Sequence, residues 1–441
     1  MPNPILPLWE YIPDGEPRLF GDRVYLYGSH DRVGCHQFCD YKLKVWSAPV
    51  SDLNNWHCHG TSFQTRPTRN HPADTPHTDH ELYAPDCVEK DGKYYLYTYI
   101  VGSKGCVSVS DKPEGPFKFL STYQYAPEDA GDDGIYNDVG VLVDEDGRVY
   151  CFYGFEGSFM NELDGKDMVT VLPGSLKKHV INDDPNLCIE ERFYEASSPR
   201  KINGLYYVIY SPRKGSRLAY ATSEHPTGPY TYRGYIIDNG VDYPAGNNHG
   251  SLCKIGDQWY VFYHRMTNNS IMSRRACVEK VEILPDGTIP PVEMTSLGFE
   301  EALNPYKITP GEIACVLKGG CYITEKDAFT RVITEIRHGS VMGYKYFDFG
   351  QDYGSSYMTL ALKVKGCGMN SILHVHINAE DGPEIGTAEI GPGDQVYKIN
   401  CNNITGRHAL YFTTEVTVQG WTRGYFENRP LFELENFAFF K

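Results

Sequence analysis

Lys90-Asp91-Gly92-Lys93-Tyr94-Tyr95-Leu96-Tyr97 joins an Asp-Gly turn to a run of aromatic and aliphatic residues. A tight turn followed by residues of high β propensity predicts a β-hairpin. The same pattern recurs four more times, at residues 19–27, 145–153, 202–210 and 255–263. The chain is therefore built on a repeated strand signal, and this repeat decides its fold.

The spacing of the repeats predicts the architecture. One tyrosine occupies the same place in every copy, with intervals of 70, 55, 57 and 53 residues between Tyr25, Tyr95, Tyr150, Tyr207 and Tyr260. Four-stranded propeller blades are of similar size. A second signal, residues 109–117, repeats as residues 221–230 in another blade. A β-sandwich with similar hairpins is the alternative, but five regular copies favour an all-β chain with a five-bladed β-propeller over residues 1–300.

The bulk composition narrows the class of partner. The 41 basic and 57 acidic residues give a net charge of −16, whereas nucleic acids and anionic membranes require a basic surface. Neither is therefore expected as a partner. The chain contains 34 Tyr, whose apolar body and polar tip suit both crowded β-sheets and sugar-binding surfaces. No apolar run is long enough to span a bilayer.

Two features predict a cytoplasmic location. Residues 1–4 lack the basic and apolar regions of a signal peptide. The 13 cysteines are odd in number and scattered between Cys35 and Cys401, which fits reduced thiols better than a disulfide framework. Cys35, His36 and Cys39 match no strong zinc pattern, so free thiols in a loop are the preferred interpretation.

Chemically useful residues stand at equivalent positions in front of the repeats. Going back 11 or 12 residues from the anchor tyrosine leads to Asp14, Asp138, Glu195 and His249 in blades one, three, four and five. Blade two offers Tyr83 at this position. The innermost strands of a propeller start beside its central channel, so these side chains are expected to converge there. One acid near a strand start is commonly a turn residue, but three in register predict a site.

Three converging carboxyl groups suit glycoside hydrolysis. An inverting glycosidase needs a carboxylate that activates water and a carboxylic acid that protonates the leaving oxygen, at a separation of roughly 6.5–9.5 Å. A third carboxylate near the acid raises the pKa of that acid and holds its orientation.

These residues carry a resemblance to glycoside hydrolase family 43, which comprises inverting five-bladed propellers acting on arabinose- and xylose-containing glycans. The resemblance extends over about residues 4–295. It rests on the motifs Tyr11-Ile12-Pro13-Asp14, Tyr27-Gly28-Ser29-His30-Asp31, Tyr83-Ala84-Pro85-Asp86, Asn137-Asp138, Phe193-Tyr194-Glu195-Ala196-Ser197-Ser198 and Gly246-Asn247-Asn248-His249-Gly250-Ser251.

The resemblance implies a role for each of these acids. Asp14 resembles the general base, Asp138 the residue that tunes and positions the acid, and Glu195 the general acid. Many members follow the base with proline, whereas Gly15 and Glu16 follow Asp14 here. The offset to the anchor strand is kept, so Asp14 is the preferred base and Glu16 is the alternative.

The resemblance also implies a metal. His249 resembles the channel histidine that in this family helps to hold a central calcium ion or a water cluster. Because calcium prefers oxygen ligands, a calcium ion here is expected to be structural and to contact His249 through water. No cofactor is needed for the chemistry.

Tyr83, His30 and Arg274 are the residues expected to bind substrate. Arg265 and Arg274 are both candidates for the pocket floor, with a surface or structural arginine as the competing interpretation. The loop from residue 66 to residue 80, which carries His71, His77 and His80, is predicted to rim the pocket. Solvent exposure is favoured over metal binding for these three histidines.

The repeat stops after residue 291, and a second domain is predicted over residues 305–441. Alternating runs such as 358–364 and 372–377 indicate a jelly-roll-like β-sandwich. Residues 343–350, 382–386 and 431–440 resemble family 6 carbohydrate-binding modules. A non-binding sandwich that packs on the propeller is the equal alternative.

The leading hypothesis is an inverting exo-acting glycosidase that releases terminal α-L-arabinofuranose from arabinoxylan-type oligosaccharides. A β-xylosidase, or both activities in one pocket, is the alternative because the two sugars present similar hydroxyl patterns. A non-catalytic glycan-binding propeller, a protein-interaction propeller and a retaining fructosidase-like propeller are the remaining hypotheses. The sequence leaves the linkage, the natural substrate and the oligomeric state open.

Overall fold

The computed structural model describes residues 1–76, 80–126, 134–181 and 186–441. Nearly all regular structure in these ranges is β. Two short 3₁₀ turns, Gly311–Ile313 and Gly420–Tyr425, lie in the C-terminal part of the described chain. In the described part of the chain, no helix is long and apolar enough to cross a membrane.

The first five sheets are the blades of a five-bladed propeller. Each is an antiparallel meander in sequence order. Blade one contains β1 (Glu16–Phe20), β2 (Arg23–Tyr27), β3 (Lys42–Pro49) and β4 (His57–Gln64). Blade two contains β5 (Leu82–Lys90), β6 (Lys93–Ile100), β7 (Cys106–Ser110) and β8 (Lys118–Ser121). Blade three contains β9 (Gly140–Val143), β10 (Val149–Tyr153), β11 (Phe159–Leu163) and β12 (Lys177–Lys178).

The last two blades complete the ring. Blade four contains β13 (Phe193–Ile202), β14 (Leu205–Pro212), β15 (Arg217–Ser223) and β16 (Thr231–Asp238). Blade five has three strands, β17 (Ser251–Ile255), β18 (Gln258–Thr267) and β19 (Ser270–Val281). The N-terminal segment runs beside β19, where the Ile5 N–H donates to the Ala276 carbonyl at 3.0 Å. The anchor tyrosines all lie on the second strand of their blade, as the repeat predicts.

Two further sheets form the C-terminal β-sandwich. The first pairs β22 (Tyr322–Glu325), β23 (Arg331–Ile336), β30 (Phe432–Phe440), β25 (Tyr357–Gly366) and β28 (Gly393–Asn402), with β20 (Thr309–Pro310) added beside β30. The second pairs β21 (Val316–Lys318), β24 (Val341–Asp348), β29 (Arg407–Val416), β26 (Ser371–Ile377) and β27 (Glu384–Ile390). The fold class predicted from the sequence is confirmed.

The sandwich shares a core with blades four and five. One cluster of buried apolar side chains runs from Ile209 and Leu252 in the propeller to Ile333 and Phe437 in the sandwich. A buried ion pair, Arg275 to Glu312 at 2.8 Å, crosses the same boundary. The division into residues 1–300 and 305–441 stays a prediction, because the packing is continuous across it.

All 13 cysteines are free. Nine of them are buried, so they act as small apolar core residues. The cytoplasmic location stays a prediction.

Candidate active site

The inner strands begin at the same end of the propeller and bring the predicted residues together. A pocket of about 440 Å³ is lined by Asp14, Tyr83, Asp138, Glu195 and His249, among others. These five residues come from five different blades. The convergence expected from their equal offsets is therefore present in the structure, although their roles stay predictions.

The backbone turns sharply at these positions. Asp14, Ala84, Asp138 and Ala196 all have positive φ angles, of 56°, 35°, 49° and 69°. Such conformations are uncommon for residues other than glycine and concentrate at functional sites. The register of β5 shifts between Tyr83 and Asp86, and that of β13 shifts on both sides of Glu195. These irregularities re-aim side chains at the start of each inner strand.

A glycine completes this geometry beside His249. A Cβ atom on Gly250 would lie 1.8 Å from the carbonyl oxygen of Phe262, so no other residue fits against β18 at this point. The residue after His249 must therefore be glycine for a steric reason, whatever the role of His249.

Asp14 is held as a carboxylate. Oδ1 of Asp14 lies 2.8 Å from Nη1 of Arg274 and 3.8 Å from Nδ1 of His249. Burial by itself raises the pKa of Asp14, but positive charge, foremost that of Arg274, brings that pKa below its ordinary value of 3.8. Asp14 is therefore ionised at neutral pH, as a general base must be.

Glu195 is held as a carboxylic acid. Burial, with the charge of Asp14 added, raises the pKa of Glu195 from 4.5 to about 7. Asn137 makes a weak contact with the carboxyl group, with Nδ2 at 3.5 Å from Oε2 of Glu195, and this contact slightly opposes the rise in pKa. A glutamic acid with this pKa retains a proton under conditions in which Asp14 has lost its own.

Asp138 contacts the segment that carries Glu195 and also lies near His249. Its Oδ2 atom accepts the N–H of Ala196 at 3.1 Å, which ties it to the residue after Glu195. The same oxygen lies 3.8 Å from Nδ1 of His249. Burial and then the charge of Glu195 raise the pKa of Asp138 well above its ordinary value. Repulsion disfavours ionising both Asp138 and Glu195, so the pair tends to keep a proton.

Arg274 lies in the pocket, and its role in binding substrate stays a prediction. It lines the pocket and is 2% exposed. Its Nε and Nη2 atoms lie 2.9 Å from the two carboxylate oxygens of Asp31, and its backbone N–H also donates to Asp31. With Nε and Nη2 bound to Asp31, Nη1 of Arg274 is left to bind Asp14.

The sequence reasoning missed Asp31 and His264. Asp31 is the last residue of the motif Tyr27-Gly28-Ser29-His30-Asp31, but the motif predicts no role for it. His264 is fully buried, and burial followed by Arg274 lowers its pKa to about 3, so it is neutral. Nδ1 of His264 lies 3.4 Å from the backbone N–H of Asp14 and accepts from it. Both residues position Asp14, and neither has a local signature that would reveal this.

Other predicted residues lie elsewhere. His30 is not among the residues that line the pocket, and its Nδ1 lies 3.2 Å from Asp40, which gives it a structural contact. Arg265 is buried at the boundary with the sandwich, where it donates to Tyr263 and to the Thr295 carbonyl. In the histidine-bearing loop, His71 pairs with Asp74 at 3.3 Å and His80 is exposed. Neither lines the pocket, and His77 lies outside the described residues.

Aromatic and aliphatic side chains form the rest of the wall. Phe38, Phe155, Tyr194 and Ile271 line the pocket with Tyr83. Phe155 and Ile271 are each 42% exposed. Apolar faces of this kind stack against the C–H faces of sugar rings, while the carboxyl groups contact the hydroxyls.

The sandwich supports this wall. Ile271 lies at the start of β19, and Asn268 in the turn before it donates its side-chain amide to Glu325 at 3.1 Å. Glu325 also accepts from Tyr11, three residues before Asp14. The C-terminal sheet therefore contacts two chain segments that carry pocket residues.

The calcium ion stays a prediction, and the carboxylates near His249 disfavour its direct coordination because they are already paired. Asp14, Glu16 and Asp86 all act on the pKa of His249, and Asp14 is already bound by Arg274. Glu16 and Asp86 are the other two carboxylates that a metal ion beside His249 would use. Both already bind guanidinium groups, from Arg200 and Arg18 respectively. Among the described residues, no group of three or more His, Cys, Asp or Glu is arranged to hold a metal ion. The same contacts disfavour Glu16 as the alternative base.

The match to a known family decides the class. Residues 1–289 match the model of glycosyl hydrolases family 43. The chain belongs to this family. It is a glycoside hydrolase, and the resemblance seen in the sequence is confirmed. The resemblance of the C-terminal part to family 6 carbohydrate-binding modules stays a prediction.

Individual relatives agree with the assignment. A xylosidase/arabinosidase of Thermoclostridium stercorarium is 36% identical, over 78% of this chain and 82% of the relative. The structure of an arabinoxylan arabinofuranohydrolase of family 43 from Bacillus subtilis, in complex with cellotetraose, covers 100% of this chain and 97% of its own at a TM-score of 0.55 and 22% identity, which supports the fold. A second structure, a β-xylosidase/α-arabinofuranosidase from a compost metagenome, was solved with xylotriose in a calcium-free form. It matches 66% of this chain and 99% of its own chain, at a TM-score of 0.55 and 25% identity.

Proposed function

We propose that this family 43 enzyme is an inverting, exo-acting glycosidase that releases terminal α-L-arabinofuranose from arabinoxylan-type oligosaccharides. The observation that carries the mechanism is the opposite protonation of two carboxyl groups in one pocket. Arg274 holds Asp14 as a carboxylate, whereas burial keeps a proton on Glu195. An acid and a base that are poised together are what single-displacement hydrolysis requires.

In the proposed reaction, Asp14 removes a proton from a water molecule that attacks the anomeric carbon. Glu195 donates its proton to the glycosidic oxygen as the bond from carbon to that oxygen breaks. Asp138 accepts the N–H of Ala196 and so holds the backbone next to Glu195. The chemistry uses carboxyl groups alone and calls for no cofactor.

Hydrolysis of β-xylosides in the same pocket is the second candidate activity. The relative from T. stercorarium carries both activities in its name, and the compost enzyme was solved with xylotriose. Both observations support a pentose-specific pocket. A non-catalytic glycan-binding propeller would have no use for the divergent pKa values of Asp14 and Glu195, and the pocket disfavours that hypothesis.

The test is a side-by-side assay on an aryl α-L-arabinofuranoside, an aryl β-D-xyloside and an arabinoxylan oligosaccharide. We expect the wild type to release arabinose, and Glu195→Ala to lose about 10²- to 10⁴-fold in kcat on the oligosaccharide. The loss should be smaller on aryl glycosides, whose leaving groups need little protonation. Release of xylose alone favours the second candidate, and release of neither sugar from any substrate contradicts both.

A further inference from the structure

Two arginines lie in the propeller channel, on the inner strands that carry the catalytic residues. Arg18 is on β1 and Arg200 is on β13, and their side chains are 14% and 11% exposed. Arg18 makes a bidentate ion pair with Asp86, at 2.9 Å from Nε and 2.6 Å from Nη2. Arg200 binds Glu16, whose carboxylate also accepts from Ser198 at 2.9 Å. Two fixed cations therefore neutralise the two carboxylates of the channel.

These contacts join the inner strands of all five blades. Asp86 on β5 accepts the Val141 N–H on β9 at 2.7 Å, and Arg18 on β1 donates to the Val141 carbonyl at 3.0 Å. Arg200 on β13 donates to the Leu252 carbonyl on β17 at 2.9 Å. A few residues before these contacts, the same five chain segments carry Asp14, Tyr83, Asp138, Glu195 and His249.

A divalent cation would compete with these groups for the same oxygens. Calcium takes six to eight oxygen ligands, carboxylates among them. Asp14, Glu16 and Asp86 are the carboxylates that influence His249, and each has a guanidinium partner, from Arg274, Arg200 and Arg18 respectively. A metal ion placed among them would either displace an arginine or add positive charge beside carboxylates that are already neutralised.

We propose that Arg18 and Arg200 are the resident cations of this channel in place of a divalent metal ion, and that they are positioning residues for the catalytic carboxyl groups. By joining the inner strands of all five blades, they fix the relative placement of Asp14, Asp138 and Glu195. The metal-independence in this proposal goes beyond the proposed function and does not depend on which glycoside the enzyme cleaves.

The first test measures thermal unfolding and kcat of the wild-type enzyme after dialysis against EDTA, with and without millimolar calcium chloride. We expect the same Tm and the same kcat in all conditions. A calcium-dependent rise in either quantity, reversed by EDTA, would overturn the proposal. Because Tm is read without substrate, this arm gives an answer even if no pentoside is cleaved.

The second test replaces Arg18. Arg18→Ala should lower kcat about 100-fold, the scale of a misplaced catalytic group, with a smaller change in KM. Arg18→Lys, which keeps the charge, should recover part of the loss, as should millimolar guanidinium added to Arg18→Ala. Arg148→Ala is the matched control, because Arg148 pairs with Glu162 at an exposed position of blade three.

Two results would contradict the positioning role. One is a folded Arg18→Ala enzyme with the kcat and the pH profile of the wild type. The other is a loss that neither Arg18→Lys nor guanidinium restores, since a residue acting only through overall stability gives that result. If Arg18→Ala does not fold, Arg18→Lys alone tests the positioning role. We then expect partial activity. A folded Arg18→Lys enzyme without any activity would contradict the role.

Discussion

Nη1 of Arg274 lies 2.8 Å from Oδ1 of Asp14, while the rest of the same guanidinium is bound by Asp31. One arginine thus serves two carboxylates. Asp31 fixes the orientation of the guanidinium group. Its positive charge then stabilises the ionised form of Asp14. The ionised state of the proposed base depends on this relationship.

Arg274→Lys should therefore impair the base. Lysine is a point charge and cannot bind Asp31 in a bidentate manner while reaching Asp14. We expect kcat/KM to fall about 100-fold, and the acid limb of the pH profile to move upward because the pKa of Asp14 is no longer lowered as far.

Arg275→Lys is the control for this variant. Arg275 is the neighbouring buried arginine, but it pairs with Glu312 at the boundary with the sandwich. It should lose stability without moving the acid limb. An unchanged acid limb in Arg274→Lys would contradict the role given to Arg274.

The pH profile of the wild type should be bell-shaped. Activity requires ionised Asp14 and protonated Glu195, so kcat/KM falls below the lowered pKa of Asp14 and above the pKa of Glu195, which is about 7. Initial rates on an arabinoxylan oligosaccharide at low substrate concentration measure both limbs. An alkaline limb far above neutral pH would show that Glu195 is not the acid.

Glu195 should also reduce stability at alkaline pH. Its folded pKa of about 7 is above the unfolded value of 4.5, so the folded state binds more protons between these values. The free energy of unfolding therefore falls as pH rises through this window and stays lower above it. Glu195→Gln, which cannot ionise, should have a higher Tm than the wild type at about pH 8 and a similar Tm at about pH 4.

Glu224→Gln is the control for that measurement. Glu224 is exposed on the turn after β15, and its substitution should leave the pH dependence of Tm unchanged. Parallel Tm curves for Glu195→Gln and wild type would contradict the buried, protonated state of Glu195.

A chain ending at residue 300 should not fold stably. The core cluster that includes Leu252 and Tyr263 continues into the sandwich, and Arg275 would lose its partner Glu312. Leaving a buried charge unpaired costs about 3–5 kcal/mol. Circular dichroism during heating would show this as a lost or strongly lowered transition. A truncated chain that unfolds cooperatively at the wild-type Tm would establish residues 305–441 as an independent domain.

The sequence predicted the fold and the convergence of the pocket because both follow from a repeat. Equal offsets from Tyr25, Tyr150 and Tyr207 place Asp14, Asp138 and Glu195 at equivalent points of a circular structure. Asp31, His264 and the partners of Arg18 follow no such period. Their contacts join residues far apart along the chain, and no local pattern records them.

The calcium prediction shows the same limit. His249 has the residue type and the position that the family resemblance asks for, but the neighbours that decide whether a metal ion fits are Arg18 and Arg200. Each is an ordinary strand residue in the sequence. Only the fold brings both to the carboxylates beside His249.

The configuration of the first sugar released tests the central claim most directly. Proton NMR during the first minutes of hydrolysis of an aryl α-L-arabinofuranoside distinguishes the anomers before they equilibrate. Direct attack by water that Asp14 activates predicts β-L-arabinofuranose, with inversion. Initial release of the α anomer would mean that a carboxylate attacks the sugar covalently, and would contradict the assignment of Asp14 as a general base.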